Sequence, residues 1–95
     1  MTTIAQLMDA LVALEAKEGW ADICDARYDS NPNDEEAERA FDQAYREEWE
    51  AFGKAVKMLV DLTGMDVSAA NTLLRAKREK VIGIVKRWRG NRECI

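Results

Sequence analysis

The chain has 95 residues, 47% of them apolar and 34% charged, enough for one domain (residues 1–95) with a modest hydrophobic core. With no histidine and only two cysteines, Cys24 and Cys94, tetrahedral zinc and iron–sulfur sites lack ligands within one chain, so no metal or other cofactor is expected. Residues 1–53 carry fourteen acids against four bases (−10) and residues 54–95 ten bases against four acids (+6), which leaves the net −4. Antiparallel helices would bring these two halves together and neutralise much of that asymmetry. One proline, five glycines and no alternating β-branched run point to an all-α fold, and two reduced thiols are expected rather than a disulfide. No apolar run approaches the roughly 20 residues needed to span a bilayer. The N-terminus lacks the basic-then-apolar layout of a signal peptide, so the expected setting is cytoplasmic with no membrane partner.

In chain order, Thr3 and Gln6 match a capping box, and Ile4, Leu7, Met8, Leu11 and Leu14 follow at helical spacing. Gly19 interrupts the pattern, after which Trp20, Ile23, Cys24 and Tyr28 resume on a shifted phase. This predicts a first helix over about 3–18, then a kink or a short helix at 20–28.

The longest helical pattern lies between Asn31-Pro32 and Thr63-Gly64, and predicts a spine helix over about 32–62. Asn31 is the expected cap, Pro32 suits the first position, and Asp34, Glu35 and Glu36 suit the positive end of the helix dipole. Gly64 is expected to close the helix in a left-handed conformation. The predicted inward stripe is Ala37, Phe41, Tyr45, Trp49, Phe52, Val56 and Leu59. Trp49, midway along it, is expected to cost about 3–5 kcal/mol when truncated to alanine. A third main helix is predicted over about 67–88, capped by Asp66 or Ser68, with Ala70, Leu74, Val81, Ile84, Val85 and Trp88 inward. Loops of a few residues make the architecture a small antiparallel bundle.

Three features bear on function. Residues 56–75 are similar to a helix-turn-helix, with Leu62-Thr63-Gly64-Met65 as the turn and Asn71 and Arg75 as the side chains suited to base edges. Arg75, Arg78, Lys86 and Arg89 fall at i, i+3, i+11 and i+14 of the last predicted helix, a ridge that suits phosphates or the carboxylates of the spine. Asp34, Glu35, Glu38, Asp42 and Glu47 form an acidic face that could imitate a phosphate backbone, with Trp20 and Trp88 as candidate anchors near helix ends. Carboxylates on open helix faces are not general acids, and no nucleophile elbow or phosphate loop is present, so an enzyme is not expected.

The expected function is therefore that of a small acidic protein-binding module. Its concrete form is an inhibitor or adaptor docking on a larger nucleic-acid-handling complex. In size and charge the chain resembles phage-encoded blockers of host defence complexes, anti-CRISPR proteins among them. The alternatives are a DNA-binding regulator using residues 56–89 and a structural homodimer.

Overall fold

The computed structural model describes the backbone of residues 2–93 and the side chains of residues 2–87. It is all-α: helix α1 spans Ile4–Ser30, α2 Glu35–Thr63, α3 Val67–Ala76 and α4 Val81–Glu93, with a single 3-10 turn at Arg78–Lys80 between the last two. No helix is long and apolar enough to cross a membrane among the described residues.

Helices α1 and α2 form a long antiparallel hairpin, and α3 and α4 pack at one end of it, giving a rod of 60 × 22 × 22 Å. At that end lies the main core. Leu7, Leu11 and Leu14 of α1 meet Ala55, Val56, Leu59 and Leu62 of α2, Ala70 and Leu74 of α3, and Val81 and Val85 of α4. Leu7, Leu14, Leu59 and Leu74 are fully buried, each contributing about 2–3 kcal/mol of transfer free energy. Beyond the reach of α3 and α4 the hairpin has only a thin seam of Ala21, Cys24 and Ala44, with Ala40 and Phe41 beside it. Small side chains let two helices approach closely where no third layer exists.

The caps explain the helix boundaries. Thr3 and Gln6 exchange both capping-box hydrogen bonds. Helix α1 then runs unbroken through Gly19, so the separate short helix expected at 20–28 does not exist. A mid-helix glycine costs about 1 kcal/mol, and packing along α2 on both sides of Gly19 outweighs it. The apparent phase shift reflects two faces: Ala21 and Cys24 point inward, and Trp20 and Ile23 outward.

Asn31 caps the C-terminus of α1 instead of starting α2, its N–H donating to the carbonyls of Arg27 and Tyr28. Pro32 falls in the turn, and α2 begins at Glu35 with Asp34 as its cap, Oδ1 accepting from Glu36 N at 3.0 Å and Ala37 N at 3.4 Å. Gly64 adopts the expected left-handed conformation (φ 73°), its N–H donating to Val60 O at 2.7 Å. Buried Thr63 satisfies its hydroxyl within this turn, donating to Leu59 O and accepting from Met65 N.

The third predicted helix is divided at Lys77 (φ −141°, ψ 42°), with Asp66 at its N-cap position but making no side-chain cap bond. Lys77 to Lys80 are four successive charged residues with nothing for a continuous helix to bury. The bend lets α4 return over α1 and α2, where Val81 and Val85 are fully covered.

Candidate functional site

The predicted inward stripe of α2 holds at its two ends and is misphased in between, from Phe41 to Phe52. Ala37, Val56 and Leu59 are buried, but Phe41 and Phe52 are half-buried, and Tyr45 and Trp49 are 48% and 56% exposed. The true seam of α2 at that end is Ala37, Ala44 and, further along, Ala55. The aromatic residues instead form a ladder along one flank. Tyr28 of α1 stacks on Phe41 (5.6 Å between centroids), Phe41 on Tyr45 (5.9 Å), and Tyr45 meets Trp49 edge-on (6.2 Å). The ladder ends at Trp49; three residues further on, the Phe52 ring lies under the Arg75 guanidinium at 5.3 Å.

Where the third layer begins, this flank opens into two concavities sharing Trp49, Phe52 and Arg75. One is a cleft of about 290 Å³ walled by Tyr45, Trp49 and Phe52 and carrying Glu18, Glu48 and Arg78. The other is a groove of about 570 Å³ between α2 and α3, lined mainly by Trp49, Phe52, Val56, Val60 and Val67. In the cleft, burial together with the neighbouring Glu18 and Asp22 carboxylates pushes the Glu48 pKa up, and Arg78 only partly offsets this.

The predicted acidic face does not act as one unit. Glu38 and Asp42 are exposed and share one stripe with Tyr45 and Trp49, at i, i+4, i+7 and i+11. Asp34 lies on the same line but is engaged as the α2 cap, and Glu35 is exposed in the first turn. Glu47 lies two residues from Tyr45, hence on the opposite side of α2. There it accepts from Gln43 and from Lys17 at 3.1 Å, and these partners hold its carboxyl below the usual range.

The basic ridge is likewise divided by the bend at Lys77. Arg75 donates to Asn71 Oδ1 at 2.9 Å while covering Phe52. Arg78 is ion-paired with Glu18 across the cleft, not with Asp34, Glu38 or Asp42. Lys86 is exposed on α4. The side chains of Arg89 and Trp88 lie outside the described residues. Trp20 is exposed, as an anchor would be, on the side of α1 away from the ladder.

The two side chains of the helix-turn-helix-like segment suited to reading bases, Asn71 and Arg75, are thus bonded to each other. Among the described residues no group of three His, Cys, Asp or Glu side chains is placed to hold a metal ion, and Cys24 is a buried free thiol. Sequence reasoning missed the concavities because it assigned their aromatic walls to the core. The signal it passed over is the placement of Glu38 and Asp42 on the stripe of Tyr45 and Trp49. The chain matches no known protein family, no characterised protein and no solved structure.

Proposed function

We propose that this chain is a small acidic protein-binding module, acting in the cytoplasm as an inhibitor or adaptor that docks on a larger nucleic-acid-handling complex. Phage-encoded blockers of host defence, of the anti-CRISPR kind, are the class it fits in size and charge. The observation that carries the reading is the flank of α2. Two large aromatic side chains, Tyr45 and Trp49, stand about half exposed beside an apolar groove, and share their stripe with Glu38 and Asp42. Rigid aromatic anchors beside a concavity hold complexes together. Carboxylates on the same stripe steer the module toward a basic surface such as a nucleic-acid channel. With no histidine in the chain and the Arg78 guanidinium taken by Glu18, the cleft is better equipped to bind than to catalyse.

Affinity purification of the tagged chain from its native host, with and without nuclease, tests this. The expected result is a protein partner that survives nuclease and is lost with a folded Tyr45→Ala/Trp49→Ala variant. Recovery of nucleic acid alone, removed by nuclease, would overturn the reading in favour of a DNA-binding regulator.

A further inference from the structure

Helix α1 is apolar on two opposite faces, and its own fold uses only one of them. The inner face holds Leu7, Leu11, Leu14, Ala21 and Cys24. The outer face holds Ala5, Met8, Val12, Ala16, Gly19, Ile23 and Ala26, all exposed and separated by steps of three or four residues. That stripe covers six turns, about 33 Å, without a single charged side chain. Val12 is 68% exposed and Ile23 61%. A solvated helix face normally alternates charge with small apolar residues, so this one reads as a seam awaiting a helix.

Gly19 leaves a hollow along this stripe. A Cβ there would meet nothing within 4 Å, as at Gly53 and Gly83, so the space above it is open to a neighbour.

We propose that a second copy of this chain occupies the outer face of α1, packed antiparallel about a two-fold axis between Glu15 and Ala16. About that axis six of the seven stripe positions face a stripe position of the other copy, more than about any other axis, and Ala16 faces Glu15. Ala5 pairs with Ala26, Met8 with Ile23, and Val12 with Gly19, each symmetric about the same point in the sequence. Val12 of each copy enters the hollow that Gly19 leaves on the other, and Ala16 at the centre lets the axes come close. On one flank, Trp20, 53% exposed, reaches Ala13 of the second copy. On the other, the two Glu15 side chains meet near the axis, a repulsion that keeps the pairing weak. A helix pair over this length buries on the order of 1,000 Å² in total, where specific interfaces begin. An interface at the small end of that scale is expected to be weak, in roughly the micromolar range, and it leaves Tyr45 and Trp49, on the other helix, free.

Sedimentation equilibrium of the full chain across that range is expected to show a monomer–dimer equilibrium. Val12→Glu, at a position open in the monomer, should abolish the dimer without changing helicity. Gly19→Leu should do the same while melting no lower than the parent, because leucine favours the helix but fills the hollow. Glu15→Gln should tighten association about twofold, and Trp49→Ala should leave it unchanged. With Cys24 and Cys94 replaced by alanine, Met8→Cys chains should cross-link to Ile23→Cys chains in preference to their own kind. A monomer at every concentration overturns the proposal, as does a dimer that survives both Val12→Glu and Gly19→Leu. Like-with-like cross-linking overturns the antiparallel register. None of these outcomes bears on the aromatic flank, so this inference and the proposed function stand or fall separately.

Discussion

The Arg78 guanidinium donates to Glu18 Oε1 from sixty residues further along the chain, joining the basic C-terminal part to the acidic hairpin. Both side chains are mostly covered, at 21% and 32% exposure, and Arg78 also donates to Leu74 O at 3.1 Å. Loss of the arginine leaves Glu18 facing Glu48 and Asp22 uncompensated. Arg78→Ala is expected to cost about 1–2 kcal/mol, more than Glu18→Gln, which removes a repelling charge along with the attraction. Urea unfolding of the two single variants and the double variant checks this. If the two effects simply add, the ion pair contributes no coupling.

Glu48 responds to pH in a predictable direction. Burial first, then the Glu18 and Asp22 carboxylates, raise its pKa in the folded chain above the unfolded value. The folded chain therefore holds this proton to higher pH, and stability falls as pH rises through the folded pKa. Glu48→Gln is expected to melt above the parent at neutral pH. The advantage should shrink as pH drops and the parent's Glu48 becomes protonated. Thermal melts of parent and variant from pH 7 to pH 4 read the difference directly; an advantage that grows toward acid would contradict the assignment.

Trp49 and Leu59 lie on the same helix and would be truncated at very different cost. Leu59 is fully buried in the main core, so Leu59→Ala should destabilise by about 2–5 kcal/mol. Trp49 is more than half exposed, so Trp49→Ala should cost about 1 kcal/mol or less, not the 3–5 expected of a buried aromatic. Its larger effect should fall on partner capture. Should Trp49→Ala melt as poorly as Leu59→Ala, the ladder is a structural core and not a docking flank.

The parts legible in the sequence were those with local chemistry. The capping box of Thr3 and Gln6 and the left-handed Gly64 each rest on a few adjacent residues and a fixed backbone requirement. The all-α class follows from periodicity alone. Ala37, Val56 and Leu59 were placed inward correctly, but the phase between them was not legible, because the rule that large apolar residues face inward fails where no third layer exists. Ala37 and Ala44 serve that seam since only small side chains let α1 and α2 close on each other. The aromatic residues were displaced to the flank, and with them the walls of the cleft. Gly19 misled for the opposite reason. It looked like a breaker, but tertiary contacts on both sides carry the helix through it. The ion pair of Arg78 with Glu18 depends on the bend at Lys77, which no proline or glycine announces.

The acidic flank offers the sharpest test of the proposed function, once its members are separated by role. Asp34 caps α2, so reversing it would cost about 1 kcal/mol of stability and confuse any binding measurement. Glu47 faces away and is paired with Lys17. Glu38 and Asp42 remain, exposed on the stripe of Tyr45 and Trp49 and making no side-chain hydrogen bond or ion pair among the described residues. Glu38→Lys/Asp42→Lys should therefore fold with nearly the parent's stability, which circular dichroism and melting establish first. Charge complementarity acts mainly on encounter, while buried anchors set residence time. Against a partner with a basic surface, the double variant should associate more slowly and dissociate at nearly the parent's rate. Raising salt should slow the parent's association and narrow the gap between the two proteins, because screening removes the steering that the variant has already lost. Tyr45→Ala/Trp49→Ala should show the reverse, with normal association and faster dissociation. If the charge-reversed variant folds and still associates at the parent's rate in low salt, Glu38 and Asp42 are a solvated surface, and the aromatic anchors act without electrostatic guidance.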